Sequence, residues 1–306
     1  MPSFEATKAN RFAIQLICFV SIGWTNLCAQ PPELMVSKVW DEATPRTSFD
    51  PYQRFEMIEC DPPSVRRQRP SLFDRITEDH RKFYSAESLT WLGGGIAIGA
   101  ILANTSADEQ ILSHFQVSVR GATSDDWYES LHANKELGNG IYTLPVMATA
   151  WVAGNFFDDS PAAVTIGSWG ERSLRSFLVG APPMLLAQRL TGASRPGEED
   201  HGSQWRPFAD ENGVSGHSFM SALPFINAAK MTDNPWAKSA LYAGSLIGPL
   251  SRVNDEAHYP SQAALGWWFA YMSASAINQT EVTHSRWKVV PLADVSQAGL
   301  LFELNY

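Results

Sequence analysis

Two histidines, two arginines and a Ser-Gly pair, spread over three short segments, are the residues of this chain best suited to handling an anion. The first segment is Gln188-Arg189-Leu190-Thr191-Gly192-Ala193-Ser194-Arg195-Pro196. The second is Val214-Ser215-Gly216-His217-Ser218. The third runs Leu250-Ser251-Arg252-Val253-Asn254-Asp255-Glu256-Ala257-His258-Tyr259-Pro260-Ser261-Gln262. A site for a phosphate ester needs cations to hold the anion, backbone N–H groups to cradle its oxygens, a nucleophile, and an acid for the leaving oxygen. Arg195 and Arg252 are the cations. Ser215 and Gly216 precede an apolar run that begins near His217, where a helix N-terminus would present free N–H groups and the positive end of its dipole. His217 and His258 can supply a lone pair and a proton. Each piece alone is ordinary: an Arg-Pro pair ends many helices, and Ser-Gly-His is a common helix cap. The three in this order, each at a predicted helix end, define one candidate anion pocket.

The elements that must position these residues are predicted to be helical. Ser85 and Ser88 can cap an apolar helix over Leu89–Ala103. A short amphipathic helix is expected at 126–137, and apolar helices at 138–157 (with Pro145 inside) and 168–190, the latter carrying Glu171, Arg172 and Arg175. Further helices are expected at 216–231, 235–251 and 258–278, the last helped by Pro260 in its first turn. The fold class is therefore all-α, a helical bundle of about six core helices. Lys288–Pro291 and Gly299–Leu304 read as two short strands around a turn, a C-terminal β-hairpin. The segment 30–84 is a polar, Pro-rich arm, broken by Pro31, Pro32, Pro45, Pro51, Pro62, Pro63 and Pro70. The domain division is thus 1–29 leader, 30–84 arm, 85–284 helical domain and 285–306 hairpin.

The leader reads as an export signal: Lys8 and Arg11, then an apolar Phe12–Ala29, then a cut before Gln30. It places the mature chain in the periplasm or outside the cell. Cys18 and Cys28 fall in the leader, so Cys60 alone remains and stability rests on packing rather than a disulfide. With 306 residues, 44% of them hydrophobic, eleven Trp and sixteen Phe, the chain can bury a large core. Its net charge of −9 argues against general nucleic-acid binding, which needs many phosphates neutralised. Ser88–Ala107, Leu137–Phe157 and Tyr259–Thr280 are free of charge over about a membrane's thickness, but they are rich in Gly, Ser, Thr and Asn. A soluble or peripherally bound bundle is expected; the basic cluster Arg66-Arg67-Gln68-Arg69 reads first as solvated linker and second as a contact for anionic lipid headgroups. His201, after Glu198-Glu199-Asp200, belongs to an acidic loop from Gly197 to Gly213 expected to border the pocket; no metal site is expected.

The three segments together resemble the signature of the type-2 phosphatidic acid phosphatase and vanadium haloperoxidase superfamily: Lys-x6-Arg-Pro, then Pro-Ser-Gly-His, then Ser-Arg-x5-His-x3-Asp. The resemblance spans roughly residues 85–280. It implies a phosphatase acting on a phosphate monoester, a lipid phosphate among the candidates, through a phosphohistidine. His258 matches the nucleophile and His217 the general acid. Arg195, Arg252, Ser215 and Gly216 match the phosphate-binding groups. No cofactor is implied, except vanadate if the chain were a haloperoxidase.

Three positions depart from that signature: Val214 for Pro, Gln188 for Lys and Gln262 for Asp. Gln262 lies four residues after His258, on the same helix face. It can accept a hydrogen bond from the ring but adds no charge. A comparable Asp-to-Asn change in a Ser-His-Asp triad costs about 10⁴-fold in rate through a wrong tautomer. Asp255 or Glu256 is expected to restore the charge, and Arg189, with a register shift, to replace the lysine at 188. These changes define a second reading, a phosphate- or vanadate-binding relative with little turnover. The third, a haloperoxidase, is weakened by the lost lysine.

Overall fold

The computed structural model describes residues 70–157, 160–198, 201–284, 288–294 and 297–303. The leader, most of the arm, and all three cysteines lie outside the described residues.

The described chain is mostly helical. The helices are α1 Leu72–Phe83, α2 Ala86–Ala103, α3 Ala107–His114, α4 Asp125–Ala133, α5 Gly140–Phe156, α6 Pro161–Thr191, α7 Gly216–Lys230, α8 Pro235–Ser245, α9 Ile247–Asn254 and α10 Pro260–His284. A π-helical stretch, Phe115–Arg120, extends α3, and a 3₁₀ turn, Asn134–Gly138, follows α4. Two strands, β1 Lys288–Asp294 and β2 Gln297–Glu303, pair antiparallel with Lys288 opposite Glu303.

Helix α10 is the axis of the bundle and packs against α1, α2, α6 and α7. Its inward residues Leu265, Phe269 and Ile277 meet Phe219, Leu223 and Ile226 of α7 and Val179 of α6, all fully or nearly fully buried. Burying each such side chain contributes roughly 1.5–3 kcal/mol. The lack of charge in Tyr259–Thr280 thus reflects a core helix. Among the described residues one helix, Ala86–Ala103, is long and apolar enough to cross a membrane.

Helix boundaries differ from expectation where the pattern is disguised. Leu72–Phe83, near the end of the predicted arm, forms α1, capped by a reciprocal pair: Asp74 N–H donates to Ser71 Oγ, and Ser71 N–H to the Asp74 carboxylate. Its inward stripe, Leu72, Ile76, Asp79 and Phe83, contains a fully buried aspartate. Asp79 receives two 2.8 Å hydrogen bonds from the equally buried Arg175 of α6. Arg175 also meets Glu171 and Glu281, and Arg75 meets Glu171 at 2.6 Å, so an ion cluster clamps α1, α6 and α10. The segment expected as one helix over 235–251 breaks at Leu246 into α8 and α9.

Two helix ends prepare the site. Helix α6 stops at Gly192, whose φ of 59° is left-handed and suits glycine. Helix α7 starts at Ser215, whose Oγ accepts the Ser218 N–H.

Candidate active site

The three segments converge, and one residue joins them. Gln262 is fully buried in the first turn of α10. Its backbone carbonyl accepts the Ser215 N–H at 2.9 Å. Its side-chain Nε2 donates to the Ser194 carbonyl at 2.7 Å, and its Oε1 accepts the Tyr259 N–H at 3.1 Å. The same Oε1 lies 2.9 Å from His258 Nδ1. A carbonyl can only accept and an amide N–H can only donate, so Ser194 and Tyr259 fix which way the carboxamide points. Oε1 therefore accepts from His258, the proton sits on Nδ1, and Nε2 keeps its lone pair. The tautomer is thus held without a carboxylate.

Arg252 and His258 are joined through the backbone: the Arg252 carbonyl accepts the N–H groups of both Ala257 and His258. The Arg252 side chain is nearly buried, and its Nη2 donates to Asp255 at 2.6 Å. Its Nε has no hydrogen-bond partner among the described residues, an open donor for an oxyanion. Arg195 is exposed, with Nε donating to Asn212 Oδ1 at 2.8 Å; Asn212 is in turn held by Asp210. The acidic loop thus positions Arg195. Ser215 is buried, and Gly216 and His217 open α7 with backbone N–H groups aimed out of its first turn.

The four charged or ionisable groups feel one another. Burial pushes the His258 imidazole down to about 4, Gln262 opposes this, and Arg195, Arg252 and His217 reinforce it. His217 is lowered by desolvation first, then by Arg252 and Arg195. It lies at the mouth, more exposed than His258. Arg252 is lowered by burial, with Asp255 opposing and Arg195 adding to the shift. Both imidazoles are therefore neutral at pH 7, beside two cations.

Some expectations are corrected here. Arg189 does not enter the site; it is exposed and pairs with Glu211 at 2.6 Å, because the residue after Gln188 points about 100° away around α6. Asp255 does not reach His258; Arg252 and His132 engage it. Glu256 adopts a left-handed φ of 52° in the turn before His258 and lines a surface cleft with Glu109, Gln116 and Tyr259. Gln188 reaches the site's edge as a strut: its Nε2 donates to the Val214 carbonyl at 2.6 Å and would lie 3.6 Å from a Cβ placed on Gly216. His201, expected on the acidic loop that borders the pocket, turns inward. It is buried, with Nε2 against the Gly192 carbonyl and Nδ1 against Ser194 Oγ, and so supports the segment that anchors Gln262. Among the described residues no group of three or more His, Cys, Asp or Glu could hold a metal.

Three contributors carry no signal in the sequence. Asp108, fully buried on α3, accepts both the N–H and the hydroxyl of Ser261 and so fixes the start of α10. Gly138 of the 3₁₀ turn lies against the His217 backbone, where a Cβ would come within 2.8 Å of His217 Cα. His132 of α4 approaches Asp255 Oδ2 at 3.1 Å. Each is far in sequence from the group it supports.

Family models, curated proteins and solved structures were all compared with this chain, and none matches.

Proposed function

We propose that the chain is a phosphatase of the type-2 phosphatidic acid phosphatase kind, hydrolysing a phosphate monoester through a phosphohistidine on His258. The observation that carries this reading is the Gln262 hydrogen-bond set, which leaves His258 Nε2 unprotonated next to Arg195, Arg252 and His217. A neutral, buried imidazole with a free lone pair is a competent nucleophile. Two guanidiniums and the free N–H groups of α7 match the charge that spreads over phosphoryl oxygens in the transition state.

In the first step Nε2 attacks phosphorus. The P–O ester bond breaks, and the leaving oxygen takes a proton from protonated His217. In the second step water attacks phosphorus and gives its proton to His217. The P–N bond breaks, inorganic phosphate leaves, and His258 returns to its neutral form. Two easier displacements replace one hard one.

Exposed apolar side chains on α2 and α5, among them Trp91, Ile98, Ile141 and Phe156, support a peripheral membrane position and a lipid phosphate as substrate. The expected leader supports a site outside the cytoplasm. The test is turnover of p-nitrophenyl phosphate and of a lipid phosphate in vesicles, with vanadate as competitor. Hydrolysis lost in His258→Ala and blocked by vanadate supports the reading; hydrolysis indifferent to both overturns it.

A vanadate- or phosphate-binding protein with little turnover is the second reading. The lowered proton affinity of His217 favours it, since an acid largely deprotonated at pH 7 protonates a leaving group poorly.

A further inference from the structure

The site has a wall the three segments do not contribute. The 3₁₀ turn Asn134–Gly138 sits directly on the start of α7, with Gly138 against the His217 backbone and the turn also packed against α9, which carries Arg252. This turn presents Lys135, which is half-buried. Its Nζ lies 3.1 Å from His132 Nε2. The other ring nitrogen of His132 lies 3.1 Å from Asp255 Oδ2, and Asp255 holds Arg252 at 2.6 Å. Lys135 and Arg252 are thus linked through one imidazole and one carboxylate. An ammonium has only donors, so His132 Nε2 must accept and Nδ1 carries the ring proton. The His132 Nδ1–Asp255 approach is off the line of a good hydrogen bond.

We propose that Lys135 is a third cation of the anion site, presented by the turn over His217 and positioned by His132. This rests on the phosphate-site reading above. Three features point the same way. The turn is locked to His217 by the close approach at Gly138. Lys135 opposes protonation of His217, as Arg252 and Arg195 do more strongly. The lysine stem is long and flexible, so its ammonium can move from His132 to a phosphoryl oxygen without moving the backbone. Glu136 on the same turn works against it by favouring a charged His217, but its carboxylate is engaged by the Asn139 side chain at 3.2 Å. Gln188 brings no charge to its edge of the site, and a lysine on the turn over His217 would supply one from another element.

The test is vanadate binding by the full chain, which needs no turnover. Lys135→Met keeps the stem and removes the charge; it is expected to weaken vanadate at least tenfold, with the melting temperature unchanged. Lys135→Arg is expected to bind within about threefold of the native chain, because the charged hydrogen bond to the oxyanion is kept. His132→Ala is expected to fall between them. Native affinity in Lys135→Met overturns the proposal, and so does equal weakening in Lys135→Met and Lys135→Arg, which would make the stem's packing the cause. A native chain that binds no vanadate overturns the site reading itself, and this proposal with it.

Discussion

Gln262→Asp installs the carboxylate carried at this position by the signature the three segments resemble, and the geometry says it will do harm. Gln262 uses both ends of its carboxamide. Its Nε2 satisfies the Ser194 carbonyl at 2.7 Å, and Ser194 itself is fully buried. An aspartate has no donor, so that carbonyl is stranded at a cost of about 1–3 kcal/mol. It is also one methylene shorter, which removes roughly 0.8 kcal/mol of burial. Against this, a carboxylate near the start of α10 facing the Tyr259 and His258 donors recovers part of the loss. The expected net effect is a loss of about 2 kcal/mol, or about 4–8 °C in Tm by the scaling for chains of this order. Phosphatase turnover should fall, because the ring of His258 loses its anchor to the Ser194 segment. Gln262→Glu sharpens the test. Protonated, it can donate to Ser194 as the amide does; ionised, it sets one acceptor against another. Its folded-state pKa is therefore raised, and its stability is close to native below about pH 4.3 and lost as pH rises above that. Thermal melts at pH 4 and 7 with p-nitrophenyl phosphate turnover on the same samples are the assay. An aspartate variant that melts at or above the native temperature and turns over faster would refute the reasoning, and would mean that Gln262 is a damaged aspartate.

The proposed two-step route needs His258 neutral and His217 protonated, so kcat/KM for a phosphate ester should be bell-shaped in the acid range. It should rise above about pH 4, the value for His258, and fall as pH passes the lowered value of His217, below 6.5. An optimum above pH 7 would contradict that assignment. Asn212→Ala frees Arg195 Nε and should raise KM for phosphate esters by about tenfold with kcat little changed; steady-state kinetics decide. Asp79→Ala leaves Arg175 buried with half its partners and should cost about 3–5 kcal/mol in denaturant unfolding, with vanadate affinity retained in the folded fraction.

The helix ends that carry the site were legible because strong punctuation marks them: Gly192 and Pro196 after α6, Ser215 and Gly216 before α7, Pro260 opening α10. What escaped was set by partners distant in sequence. Helix α1 was hidden because one position of its inward stripe is Asp79, a charge tolerated only by Arg175, ninety-six residues on. Gln262 read as a lost carboxylate because its donor role depends on the Ser194 carbonyl, which no local pattern reveals. Asp255 looked like a partner for His258 by proximity in sequence, yet the turn aims it back at Arg252. Lys135 and His132 lie in a segment whose sequence shows only an amphipathic helix, and it is packing on α7 and α9 that brings them near His217 and Asp255.

The most direct test of the proposed route is to incubate the protein with a phosphate monoester, quench, and map any phosphoryl group by mass spectrometry. The expected result is phosphate on His258, absent from His258→Ala, with that variant still folded and inactive. A phosphoryl group on any other side chain, or undiminished hydrolysis by His258→Ala, would contradict the account.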